Sequence, residues 1–180
     1  YMSYDFTAAE NIGVGDLDAL EDRARIETAA RRAGADVVVR TLPNGYDTLL
    51  SRMFAAPGKD GDPETGLYLS GGQWQRLALA RALLRDQCDL AILDEPSSGL
   101  DALAEDEIHR SLRVLRGGRT SLLISHRLGA MRAADTIVVL DKGRITERGT
   151  HAELLASGGT YASLFAKQAE GYQTERRVAG

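Results

Sequence analysis

Residues 69–76 read Leu69-Ser70-Gly71-Gly72-Gln73-Trp74-Gln75-Arg76, and the run Asp89-Leu90-Ala91-Ile92-Leu93-Asp94-Glu95-Pro96 follows shortly after. A polar Ser-Gly-Gly turn opens a helix, and an apolar strand then ends in two adjacent carboxylates. At the first of these, the paired glycines let the backbone approach a bulky anion closely. The helix start adds unpaired N–H groups and the positive end of its dipole, and Ser70 brings a hydroxyl donor. The plainer alternative is a Ser-x-x-Gln capping box that needs no ligand. Trp74, Arg76 and Arg81 read as surface cover.

The carboxylates Asp94 and Glu95 fall at the end of Leu90–Leu93. In an open parallel sheet, ligands sit outside the carboxyl ends of the strands. One carboxylate there can hold Mg²⁺ through water, and the other can orient or deprotonate an attacking water. Two buried carboxylates without a cation or donors would be costly, so the placement asks for a partner. A capping or salt-bridged acidic pair in a loop is the competing explanation. Ser98-Gly99-Leu100-Asp101 is sufficiently explained as a turn followed by a helix cap. His126 ends a further strand and is expected to face the same crevice as Glu95, where a neutral imidazole can bond a phosphate oxygen and a water. His109 and His151 read as surface or packing residues.

The chain has 180 residues, 43% of them hydrophobic and 27% charged, the make-up of an ordinary soluble chain long enough for one domain. A net charge of -4 argues against a nucleic-acid partner. The longest apolar runs, such as Ile137–Leu140, are too short to cross a bilayer. Nothing at the start resembles a signal peptide. Cys88 has no second cysteine to pair with, which fits a reducing compartment and a small core residue. No Gly-x-x-x-x-Gly-Lys-Ser/Thr phosphate loop occurs, and the sequence opens on Tyr1. Half of a nucleotide site is expected here, and the other half elsewhere.

Residues 1–15 read as loop, with Asn11-Ile12-Gly13-Val14-Gly15 as a turn. Asp18 with Glu21 resembles a capping pair opening a helix to Ala33, closed by Gly34. A short helix is expected from Gly34 to Arg40, and Leu42-Pro43-Asn44-Gly45-Tyr46 then turns the chain. Residues 55–66 are rich in breakers and charge, hence an exposed loop. Helix returns from Gly72 to about Arg85. Leu90–Leu93 has the pattern of a strand covered on both faces. A helix from Leu103 to about Leu115, a strand at Thr120–Ser125 and a short helix from Leu128 follow. Thr136–Leu140 is a strand, with Asp141-Lys142-Gly143-Arg144 as a tight turn into Ile145-Thr146-Glu147. Helices at His151–Ala156 and Tyr161–Glu170 precede a polar tail. Alternating strands and helices at this spacing imply a parallel sheet with crossover helices.

Together these pieces resemble the nucleotide-binding domain of ABC transporters of the exporter type. Leu69–Arg76 is similar to the family signature and Leu90–Glu95 to its Walker B strand. Ser98–Asp101 resembles the D-loop, with Gly99 where alanine is commoner, and Ser125-His126 the switch histidine. Arg148-Gly149-Thr150-His151-Ala152-Glu153-Leu154-Leu155 resembles a C-terminal family stretch, and Tyr1–Gly15 the segment after the Q-loop. The fold this implies is α/β: part of a P-loop NTPase (RecA-like) parallel sheet with crossover helices, plus an α-helical subdomain. The helical subdomain would span 1–86, the C-terminal part of the ATPase core 87–170, and a polar tail 171–180.

The resemblance implies two such domains sandwiching two ATP molecules. Ser70, Gly71, Gly72 and Gln73 would contact the γ-phosphate across the dimer. Asp94 would hold Mg²⁺, Glu95 would act on the attacking water, and His126 would sense the γ-phosphate. Ser98, Gly99, Leu100 and Asp101 would form the D-loop, with Asp101 communicating across the interface. A second nucleotide-binding domain and a transmembrane domain are the implied partners, placing the chain at the cytoplasmic face of the membrane. The phosphate loop, the adenine-stacking aromatic and the Q-loop glutamine are expected upstream of Tyr1, together with the first sheet strands. The chain alone is accordingly expected to bind ATP poorly and to expose apolar surface at a raw sheet edge. A non-catalytic module donating the signature surface and a non-transporter ATPase are the alternatives. Intact Glu95 and His126 favour an ATPase over the module, and the lack of coiled-coil heptads disfavours a DNA-acting member.

Overall fold

Asn11 organises the start of the chain, which is not the loop that its sequence suggests. The computed structural model describes residues 2–51, 67–85, 88–99, 112 and 120–178. Phe6–Thr7 form strand β1, and Ala8–Gly13 form helix α1. Thr7 and Glu10 close a reciprocal capping box on that helix. Asn11 is fully buried. Its amide nitrogen donates to the carbonyls of Tyr4, Phe6 and Thr7, and its oxygen accepts from Tyr4 N–H and from Arg81. What reads as a turn at residues 11–13 is therefore helix, stabilised by a buried amide with every bond made.

A short 3₁₀ turn at Leu17–Ala19 precedes helix α2, Arg23–Arg32. Its cap is Asp22, which accepts from Arg25 N–H, so the helix begins later than the Asp18–Glu21 pair implies. Helix α3 is Asp36–Val39, a 3₁₀ turn follows at Gly45–Asp47, and strand β2, Leu49–Leu50, pairs antiparallel with β1. Helix α4 is Gly71–Leu84. It packs Trp74, Leu77, Leu79, Ala80, Leu83 and Leu84 into one core with Ile12, Ile26, Ala29, Ala30, Val39 and Leu50. At Gly15 a Cβ would lie 2.1 Å from the Arg81 carbonyl oxygen, so only glycine lets the chain pass α4 this closely.

The surface reading fails for Trp74, which is buried, while the half-buried Arg76 and Arg81 reach backbone carbonyls. Arg81 donates to the carbonyl of Asn11 at 2.7 Å and to that of Met2 at 3.1 Å, with its guanidinium over the Tyr4 ring. Arg76 donates to Gly34 O, and Arg25 to Leu84 O. These long stems cover apolar surface while their heads satisfy backbone acceptors.

Strand β3 is Leu90–Asp94 and strand β4 is Thr120–Ile124, neighbours in a two-stranded sheet that is the parallel element of this α/β fold. The expectation that β3 is covered on both faces fails: Leu90 is 51% exposed and Ile92 62%, while Leu93 packs against the core. The expected loop at 55–66 and helix at 103–115 lie outside the described residues apart from Leu112, which is helical and buried.

Helix α5, Leu128–Met131, leads to the antiparallel hairpin of β5, Ile137–Asp141, and β6, Arg144–Gly149. Lys142 and Gly143, at φ 47° and 75°, give the left-handed two-residue turn that matches strand twist. Helix α6, His151–Ser157, is boxed by Thr150 and Glu153 and ends at left-handed Gly158. Helix α7 runs from Thr160 to Val178, well past the expected end at residue 170. Glu147 caps it by accepting from the backbone N–H groups of Thr160 and Tyr161. Those bonds, Tyr161 foremost, hold the Glu147 carboxyl below its usual value. Ile137, Leu154 and Tyr161 form a small second core. Two compact units result, Tyr1–Leu122 and Leu123–Gly180.

Candidate functional site

Ser70 is the N-cap of α4. Its hydroxyl accepts from Gln73 N–H at 3.3 Å, and Gln73 Oε1 accepts from Ser70 N–H at 2.8 Å. The capping box is thus formed. It engages the Ser70 oxygen and the Gln73 side chain and leaves the N–H groups of Gly71 and Gly72 at the helix mouth, where Ser70 and Gly71 are exposed. Capping and anion binding are compatible here, because the box satisfies one donor of the first turn and the dipole remains.

Asp94 closes β3 and is exposed. Among the described residues, no group of three or more His, Cys, Asp or Glu side chains converges there. A lone outward carboxylate suits a hard cation whose remaining ligands are water and phosphate oxygens. Glu95 is half-buried and has φ 46°. A non-glycine residue in the left-handed region is held there by its surroundings, and such residues cluster at functional sites. Pro96 and Ser97 behind it are buried. Ser98 N–H donates to Glu95 O at 3.0 Å, closing a tight turn that contains Ser98 and left-handed Gly99. Leu100 and Asp101 lie outside the described residues.

The helix start and the carboxylate turn belong to one unit, and a residue absent from the sequence-based site joins them. Gln75, one turn into α4, donates its Nε2 hydrogens to Glu95 O at 3.2 Å and Pro96 O at 3.0 Å. Gln75 falls off the apolar stripe of α4, and nothing in its spacing marks it as a partner of the Glu95 turn.

His126 follows β4 in the second unit and is exposed. There Gln168 of α7 grips its loop: Nε2 donates to His126 O at 3.0 Å, and Oε1 accepts from Leu128 N–H at 2.7 Å. Ser125 Oγ accepts from Arg127 N–H. Gln168 is the second residue missed by the motif reading, being distant in sequence from the loop it holds. His151, expected at the surface or in packing, packs: its ring lies against Tyr161 and Phe165, and Nδ1 is 2.8 Å from the Tyr161 hydroxyl. No helix among the described residues is long and apolar enough to cross a membrane.

Comparison with known proteins puts these pieces in context. The family model described as "ABC transporter" matches residues 3–98. The ATP-dependent lipid A-core flippase of Aromatoleum aromaticum is 48% identical over 162 residues, 90% of this chain and 25% of that protein. The protein of the same name from Pseudomonas aeruginosa is 48% identical over 160 residues, 89% of this chain and 24% of its own length. The one from Legionella pneumophila (strain Philadelphia 1) is 44% identical over 173 residues, covering 96% and 27%. The chain therefore spans about a quarter of the length of the curated relatives it matches. Among solved structures, that of a bacterial Atm1-family ABC exporter with ATP bound aligns at TM-score 0.77 and 37% identity, over 92% of this chain and 26% of that one.

Proposed function

The chain belongs to the ABC transporter family, and on that premise we propose that it serves as part of the ATP-binding, ATP-hydrolysing domain of an exporter. One observation carries this reading: a glycine-rich helix start and a paired acid at a strand end are clamped together by Gln75 within a single unit. Ser70, Gly71, Gly72 and Gln73 meet the γ-phosphate of an ATP held by a second nucleotide-binding domain. Asp94 holds Mg²⁺, largely through water, and the ion neutralises phosphate charge when bound. Glu95 orients the attacking water and takes up its proton, and His126 bonds the γ-phosphate. Phosphoryl transfer asks mainly for positioning and charge stabilisation, which such groups supply.

In this reading the phosphate loop comes from polypeptide outside this sequence, and a transmembrane partner holds the domain at the cytoplasmic face of the membrane. Closure of the paired domains on ATP drives export, and cargo choice belongs to the membrane-spanning partner. The names of the flippase relatives make an amphiphilic lipid the first cargo to assay. The experiment is ATP turnover by the purified chain alone and by the assembled transporter. Negligible turnover by the chain and robust turnover by the assembly is the expected result. Equal turnover by both would contradict the division of the site.

A further inference from the structure

Helix α4 turns most of its long apolar side chains into the core, and Gln75 reaches the other way, to the turn after β3. Its Nε2 sits 3.2 Å from Glu95 O and 3.0 Å from Pro96 O. Two successive carbonyls directed at one nitrogen require a group with two hydrogens and no lone pair toward them. The primary amide of glutamine meets that need, whereas a carboxylate or an alkyl group does not. Glu95 is also in the left-handed region at φ 46°, a conformation that relaxes unless its neighbours enforce it. Ser98 N–H supplies one restraint on Glu95 O, from within the same turn. Gln75 supplies a restraint from another element, and that helix is anchored through buried Trp74 and Leu77.

We propose that Gln75 is a positioning residue: by bonding the Glu95 and Pro96 carbonyls it fixes the left-handed turn and hence the direction of the Glu95 carboxylate. This rests on the reading of Glu95 as the group that acts on the attacking water. Gln75 touches no reacting atom in that reading. Its loss changes where the carboxylate points, not the charge the carboxylate carries.

The test uses the assembled transporter and compares wild type with Glu95→Gln, Gln75→Leu, Gln75→Glu and Gln75→Lys. Gln75→Leu removes the donors, and kcat is expected to fall about ten- to a hundredfold, the scale of a misplacement of about 1 Å. KM for ATP stays within about twofold, because ATP binding does not use Glu95 in this reading. Gln75→Glu, of the same shape but with acceptors only, shows at least the same loss. Gln75→Lys restores a donor of similar reach and recovers most of kcat. Thermal midpoints are recorded for all four variants, and if Gln75→Leu does not fold, the Glu and Lys variants decide. Wild-type kcat in Gln75→Glu, or equal loss in Glu and Lys variants, overturns the proposal. Turnover that survives Glu95→Gln instead overturns the reading of Glu95 beneath it, so the two failures are told apart.

Discussion

Helix α4 and strand β3 both carry long apolar side chains, and most of those side chains meet different fates. In α4 the side chains Trp74, Leu77, Leu79, Ala80, Leu83 and Leu84 are all buried. In β3, Leu90 and Ile92 are more than half exposed. The helix needs cover along one stripe, and α1 and α2 from the same unit provide it. A strand presents two faces and two edges, and here its described partner is β4 alone, whose Leu122 and Ile124 are exposed as well. The hairpin repeats the pattern, with Leu140 70% and Ile145 64% exposed. Among the described residues, buried apolar packing is therefore concentrated in the helical part of the first unit, while the apolar surface expected at the strands is present.

Breaking the helical side gives the largest effect. Trp74→Ala removes the largest fully buried side chain and is expected to cost about 3–5 kcal/mol, read by chemical denaturation. A cost under about 1 kcal/mol would show that the α1–α2–α4 core is not the stabilising centre. Arg81→Met comes next. It keeps much of the stem volume but leaves the Asn11 and Met2 carbonyls without their arginine donor, an expected loss of about 2–3 kcal/mol.

Tyr46→Phe is smaller, about 1–2 kcal/mol, because it deletes a single hydroxyl whose partner is the Asp36 carboxylate at 2.7 Å. It also changes the acid limb. Burial tends to raise the Asp36 carboxyl, but bonds from Tyr46 and Arg40 outweigh it, and the net direction is downward from 3.8. A carboxyl depressed in the folded state contributes stability that is complete above its unfolded value and fades as pH falls through the lower folded one. Wild type should accordingly lose this contribution below about pH 4, and Tyr46→Phe should show a shallower loss in that range. Identical acid limbs would remove Asp36 from the account. The smallest effect belongs to the open strands: Ile92→Thr should change stability by about 0.5 kcal/mol or less while lowering self-association by light scattering. A large destabilisation would mean that this face is covered in solution.

The sequence speaks clearly where one local rule acts alone. Ser70 and Gln73 announce the start of α4, and Asp141-Lys142-Gly143 announces the hairpin, because caps and left-handed turns are decided within a few residues. Helix α1 was obscured by Asn11, Gly13 and Gly15, which look like breakers. The signal that outranks them is Thr7-x-x-Glu10, a capping box, and Asn11 is tolerated because Tyr4 and Arg81 complete its bonds. The exposed face of β3 is not legible in its sequence, since an unbroken apolar run reports what a strand can bury, not what is present to bury it. Among the candidate residues, Ser70–Gln73, Asp94, Glu95 and His126 each stand out by motif. Gln75 and Gln168 do not, because a glutamine that binds backbone has no spacing rule to reveal it.

ATP retention and ATP turnover, measured together in the assembled transporter for Glu95→Gln and Gly71→Asp, test the central claim most directly. Both variants should lose turnover by about a hundredfold or more. Glu95→Gln should still hold ATP within a closed pair of domains. Gly71→Asp, with a carboxylate at the helix mouth proposed to meet the γ-phosphate, should bind ATP but fail to close. Turnover near wild type in either variant would contradict the account.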